Sequence, residues 1–120
     1  MLEGDFYKIL EEHPKEIGKA GFSIQFDPGH RIFTGHFPGK PIVPGVCMMQ
    51  IIQELLSKTL DKNLLIRKAS NIKFLHVIDP TIHLQVNVTI DYTIDNGNVK
   101  TSANITNESL TFMKFAGEFS

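Results

Sequence analysis

The stretch 35–50, GHFPGKPIVPGVCMMQ, places three prolines and three glycines in its first eleven positions and then turns apolar. Proline fixes φ and glycine opens backbone conformations closed to other residues, so this alternation specifies a path rather than a simple surface crossing. Residues 46–60 follow, with polar positions Gln50, Gln53, Glu54 and Ser57 spaced i, i+3, i+4, i+7 and nearly all the rest Val, Met, Ile or Leu. The spacing predicts one long helix, mostly buried, with a narrow polar stripe. A buried line of carboxamide and carboxylate groups must meet something polar.

Upstream, Leu2, Phe6, Ile9 and Leu10 have the spacing of a short amphipathic helix over 2–12, ended by Pro14. Residues 21–26 alternate as a strand, DPG at 27–29 is a turn, and Arg31 to Thr34 are read as continuing the pairing. Downstream of Leu64 the period becomes two. NIKFLHVI (71–78) reads as a strand stopped at Asp79-Pro80, and residues 82–92 alternate strictly between apolar and polar. That alternation puts His83 on a wet strand face. Asn96-Gly97 supplies a tight hairpin turn, Val99 to Ile105 return, and Leu110 to Phe119 close the sheet. The fold class is α+β, an antiparallel sheet of about five to six strands around one long central helix, since the strands follow one another without intervening helices.

The chain has 120 residues with a net charge of −1, one cysteine, nine phenylalanines and no tryptophan. These totals predict one domain over 1–120 and make no electrostatic case for nucleic acid. No apolar run reaches the ~18 residues of a membrane-spanning helix. The N-terminal stretch is acidic and interrupted, and Cys47 stands alone, so the chain is expected in the cytoplasm and off the membrane. No His, Cys or Asp cluster has metal-ligand spacing, and no metal or other cofactor is expected. Cys47, near the helix start, reads as a small buried hydrophobe.

GHFPGKPIVPGV resembles the motif of the hotdog-fold β-hydroxyacyl-acyl-carrier-protein dehydratases, His-Phe-Pro-Gly-x-Pro-x-x-Pro-Gly-Val. His36, Phe37, Pro38, Gly39, Pro41, Pro44, Gly45 and Val46 match it in unbroken register. IKFLHVIDP is similar to that family's strand beginning Val/Ile-Lys-Phe and ending at a proline. The resemblance implies a hotdog fold and a homodimer whose sheets join side by side, with assembly beyond the dimer left open. It also implies removal of water from a (3R)-hydroxyacyl thioester carried on acyl carrier protein, without metal or redox cofactor.

The residue types suit that chemistry. Histidine takes and returns a proton near neutral pH, which makes His36 the candidate base. Backbone N–H groups of Gly45 and Val46, at the helix start, are placed to receive charge on the thioester oxygen, with Phe37 and Pro44 as further substrate-binding candidates. Met48 and Met49 are candidates for lining an acyl tunnel. Arg67, Lys68 and Lys73 are candidates for docking the acidic carrier protein, a solvated strand edge explaining them as well.

One position departs from the pattern. The family carries an acid fourteen residues after its histidine, where this chain has Gln50, and many relatives carry glutamine one turn later, where it has Glu54. A carboxamide donates a hydrogen bond but delivers no proton. Three outcomes are open: Glu54 supplies the acid, His36 makes both proton transfers while Gln50 orients the hydroxyl, or the chain binds acyl thioesters without dehydrating them. The alternatives to a dehydratase are an acyl-thioesterase using Glu54 to activate water, and a non-catalytic acyl-binding subunit of a dehydratase heteromer.

Overall fold

The computed structural model describes residues 1–13, 16–35 and 39–120. The expectations placed on Pro14, His36, Phe37 and Pro38 lie outside the described residues. Within them, six strands form an antiparallel sheet: β1 (Tyr7–Glu12), β2 (Lys19–Phe26), β3 (Ile66–Phe74), β4 (Gln85–Asp95), β5 (Asn98–Asn107) and β6 (Leu110–Phe119). Their order is β1-β2-β4-β5-β6-β3, so β3 crosses from its place in the chain to the far edge. Two helices accompany them, the short α1 (Arg31–Gly35) and the long α2 (Gly45–Leu60). No described helix is long and apolar enough to cross a membrane.

The long helix falls where its periodicity placed it, beginning one residue earlier at Gly45. Cys47, Met48, Ile51, Ile52, Leu55 and Leu56 point into a core shared with Phe22, Ile24, Val88 and Met113. A fully buried Ile or Leu contributes about 1.5–3 kcal/mol, so packing rather than helix propensity holds α2 in place. Its C-terminus closes on Asp61 in the left-handed conformation (φ 51°), whose N–H meets the last carbonyls. The Asn96-Gly97 hairpin forms as expected, with φ of 51° and 82° at the two positions.

Three local expectations are overturned. Residues 7–12 are a strand, not the end of a helix: Tyr7 pairs with Phe26 and Ile9 with Ile24, giving the β2 edge a partner that a helix could not supply. Residues 31–35 are a helical turn rather than a strand continuation. His30 Nδ1 accepts the Ile32 N–H at 3.0 Å, and Thr34 Oγ1 donates to the Arg31 carbonyl, a capped turn that leaves no extended backbone to pair. Finally, β3 ends at Phe74 and β4 starts at Gln85, so the alternating residues 82–84 belong to the connection. The Asp79 carboxylate accepts the Thr81 N–H and hydroxyl, and the Asp79 carbonyl accepts from Ile82 and His83. That turn holds His83 out of the strand, half-buried with its ring edge against Phe112 at 4.9 Å.

Gly117 in β6 marks a close approach. A Cβ there would run into the Lys68 carbonyl oxygen and fall 2.7 Å from Phe115 Cζ. The clash is with backbone beside a β3–β6 register shift, so a small side-chain adjustment cannot relieve it. Gly117→Ala is therefore expected to cost about 2–3 kcal/mol, read as a lower midpoint in chemical denaturation at unchanged m-value.

Candidate active site

The sequence delivers the Gly/Pro stretch to the N-terminus of α2. Pro44 is the N-cap (φ −63°, ψ 147°) and has no side chain able to cap the helix. The amides of Cys47 and Met48 turn back to the Pro44 carbonyl, while those of Gly45 and Val46 have no acceptor among the described residues. Val43 N–H donates to the Ile78 carbonyl at 2.9 Å, which ties the approach to the β3–β4 connection. Two N–H donors with no acceptor among the described residues therefore stand at the positive end of a sixteen-residue helix.

Beside them lies an apolar pocket of about 320 Å³, lined by Ile42, Val43, Gly45, Met48, Phe74 and Val77 among others. Met48 is thus on its wall, while Met49 is half-buried and not among its lining residues. Glycine at 45 leaves room for the Phe74 ring, an exposed side chain that would have to turn aside for a Cβ. A Cβ there would sit 2.8 Å from Phe74 Cζ, because the Phe74 ring lies over the first turn of the helix. Val46 is 75% and Phe74 53% exposed, and Leu75 and Val77 are exposed too, so the pocket mouth is rimmed with apolar side chains.

The polar stripe of α2 meets the N-terminal segment. Glu54, 8% exposed, accepts four hydrogen bonds. Oε2 takes the Leu2 N–H at 2.7 Å and Gln50 Nε2 at 2.9 Å; Oε1 takes the Glu3 N–H at 2.9 Å and the Tyr7 hydroxyl at 3.0 Å. A carboxylate has about four lone-pair sites, and here all four are used. Burial, then the charge of Glu54 and its hydrogen bond, push the Tyr7 phenol far above its ordinary range, so Tyr7 remains a donor. A carboxylate accepts only, hence the Gln50 amide nitrogen faces it and the Gln50 Oε1 is left for other partners. Ser57 completes the stripe by accepting the Leu64 N–H at 3.2 Å.

The remaining candidates are dispersed. Arg67, Lys68 and Lys73 are all exposed on edge strand β3. Lys73 adjoins Phe74 at the pocket mouth, whereas Arg67 lies six residues back, about 20 Å along an extended strand, with its Nε on Ser120 Oγ. Burial pushes the Cys47 thiol up, which leaves it protonated and unreactive. Among the described residues no three His, Cys, Asp or Glu side chains gather as a metal would need. Tyr7 and the Leu2 and Glu3 amides were not foreseen. Their partner lies about fifty residues away, a separation that no local pattern signals.

The family model described as ApeI dehydratase matches residues 12–112. This chain belongs to the ApeI-like dehydratase family. It is 33% identical over 67 residues to the 3-hydroxyacyl-[acyl-carrier-protein] dehydratase FabZ of Rickettsia massiliae, an overlap covering 49% of this chain and 46% of that one. The chain spans about half the length of the curated relatives it matches. Among solved structures it is similar to the dehydratase heterocomplex ApeI:P from Xenorhabdus doucetiae, with TM-score 0.75 and 16% identity over 92% of this chain and 95% of that one. An uncharacterized protein from Erwinia carotovora subsp. atroseptica superposes with TM-score 0.71 at 21% identity, over 93% and 94% of the two chains. These likenesses establish the hotdog fold for the ApeI-like chain.

Proposed function

We propose that this chain dehydrates (3R)-hydroxyacyl thioesters carried on acyl carrier protein to trans-2-enoyl thioesters, in fatty acid or polyketide-like assembly in the cytoplasm. The observation that carries the reading is the pair of N–H groups on Gly45 and Val46, without an acceptor among the described residues and beside an apolar pocket, in the same motif as His36. His36 takes the proton from C2, and the electron pair moves onto the thioester oxygen, which the two amides receive. Collapse of the enolate forms the C2–C3 double bond and breaks the C3–O bond. The departing hydroxyl takes the proton held by the His36 imidazolium and leaves as water. Gln50, its nitrogen committed to Glu54, orients that hydroxyl through Oε1. Phe37 and Pro44 flank the thioester, Met48 on the pocket wall receives the acyl chain, and Lys73, next to Phe74 of the pocket lining, faces the acidic carrier.

Two copies paired along β3 suit the single domain over 1–120. β3 is an edge strand, and the exposed Val46, Phe74, Leu75 and Val77 would be covered beside it. A thioesterase needs a carboxylate with a free oxygen to activate water, and Glu54 has none to spare. A second reading, a subunit working beside a paralogue that supplies the acid, is favoured by Gln50 itself and by the heterocomplex that the Xenorhabdus relative forms.

The test is incubation with 3-hydroxyacyl thioesters of several lengths, following enoyl absorbance and free thiol together. Enoyl formation without thiol release is expected. Thiol release would replace the proposal with the thioesterase, and silence relieved only by a second subunit would replace it with the heteromer.

A further inference from the structure

We propose that the outer face of β3, β6 and β5 is the seat of the acidic carrier protein, with Lys114, which no motif singles out, beside Lys73 as its anchor nearest the pocket. The inference rests on the dehydratase reading, which brings the substrate to this chain on such a carrier. These three strands carry Arg67, Lys68, Lys73, Lys100 and Lys114 against one carboxylate, Glu118, in a chain whose net charge is −1. Strand pairing decides which of them share a surface. Met113 and Phe115 on either side of Lys114 are buried, as are Val99 and Thr101 around Lys100, so both lysines point away from the core. Lys73 stands directly opposite Lys114, and Lys68 opposite Glu118, which in turn stands opposite Lys100. All four lysines are exposed. Arg67 is held elsewhere, its Nε on Ser120 Oγ.

Directly opposite residues on paired strands have Cβ atoms about 5 Å apart, and like charges there cost stability. Among the described residues no carboxylate lies within ion-pair distance of Lys73 or Lys114. The sheet thus holds two ammonium groups together without an acid of its own, and a carboxylate from a partner relieves their repulsion. Lys68 and Lys100 lie about 13 Å further along the strands and about 10 Å from each other, with Glu118 between them. Asn71, Ala116 and Ser102 fill the row between the two ends with short, uncharged side chains. Cations spread over an open sheet face suit the surface of an acidic protein, whereas a small anion needs a concave site. Lys73 is followed by Phe74, whose ring lies over the first turn of α2 and lines the pocket. A carrier seated on the Lys73–Lys114 pair therefore stands at the end of β3, around which its thioester arm turns to the pocket on the inner face of the sheet.

The experiment uses the full chain, an acyl carrier protein bearing a (3R)-hydroxyacyl group, and the variants Lys114→Gln, Lys114→Glu and Lys8→Gln. Lys8 is exposed on β1, the opposite edge of the sheet, and serves as the control. We expect the Kd for the carrier to rise about 3-fold in Lys114→Gln and about 10-fold in Lys114→Glu, and to stay native in Lys8→Gln. Added salt should raise it in the native chain and less in Lys114→Glu. In turnover the loss appears as a higher KM for the carrier-borne thioester, with kcat within about 2-fold. Lys114→Glu puts a carboxylate opposite Lys73, so its melting temperature should equal or exceed the native one, and misfolding would have the opposite sign. A native Kd in Lys114→Glu would overturn the docking face, as would an equal loss in Lys8→Gln, which would mean attraction by overall charge. Capture by phosphatidylglycerol vesicles that Lys114→Glu abolishes, with carrier binding native, would replace the carrier with a membrane surface. A native chain that turns over neither the carrier-borne thioester nor its N-acetylcysteamine analogue sinks the dehydratase reading. The Kd series needs no turnover and still decides the face.

Discussion

His36→Ala is expected to lower enoyl-thioester formation by on the order of 10³–10⁴, the upper part of the range for a general base, because the same imidazole is assigned both proton transfers. A chain with a second acid in the site would lose less, since the leaving hydroxyl could still be protonated. The size of the loss therefore reads the number of roles. The histidine lies outside the described residues, so its assignment rests on the unbroken register of eight motif residues and on the donors at Gly45 and Val46 that the motif leads into. Thermal unfolding of the variant is expected to match that of the native chain. Enoyl formation at native rate in a well-folded His36→Ala would remove the base from the mechanism.

Gln50→Glu is the second large effect, and its sign is opposite. The new carboxyl would sit at the position now 2.9 Å from Glu54 Oε2. Two carboxylates that close cannot both ionise, so one proton is retained well above the ordinary glutamic range. The Glu54 oxygens already accept from two amides and a phenol, and the proton therefore resides on the new side chain. A carboxylic acid kept protonated at neutral pH is what the departing hydroxyl lacks, and kcat for dehydration is expected to rise by on the order of 10².

The same pair predicts a stability signature for Gln50→Glu. The new group's folded pKa is raised above its unfolded value of about 4.3. The folded state then holds its proton more tightly than the unfolded chain does. Stability falls as pH climbs from about 4 toward the raised folded value, and levels off above it. Melting temperatures of the variant measured from pH 4 to 8 should decline against those of the native chain. A flat difference would mean that the two side chains do not meet.

The elements legible beforehand were those whose partners are near in sequence or whose pattern has one period. The helix at 45–60 shows its stripe directly, and Asn96-Gly97 announces a hairpin because its conformations suit few other residues. The N-terminal segment was ambiguous. Leu2, Phe6, Ile9 and Leu10 satisfy a helical spacing, while Tyr7 and Ile9 satisfy a strand equally well, and only the unfilled edge of β2 chose between them. Residues 82–84 continued a perfect alternation but were claimed by the Asp79 turn, whose hydrogen bonds outweigh pattern in a three-residue stretch.

The chain's own order of residues was enough to place a Gly/Pro approach before a buried helix and to set a carboxylate, Glu54, on its polar stripe one turn later than Gln50. Tertiary structure alone determined what the late carboxylate does. A buried carboxylate must have its lone pairs filled, and the donors that fill them come from a segment about fifty residues away. Which donors arrive depends on how the first strand lies against the sheet, and no local spacing encodes that.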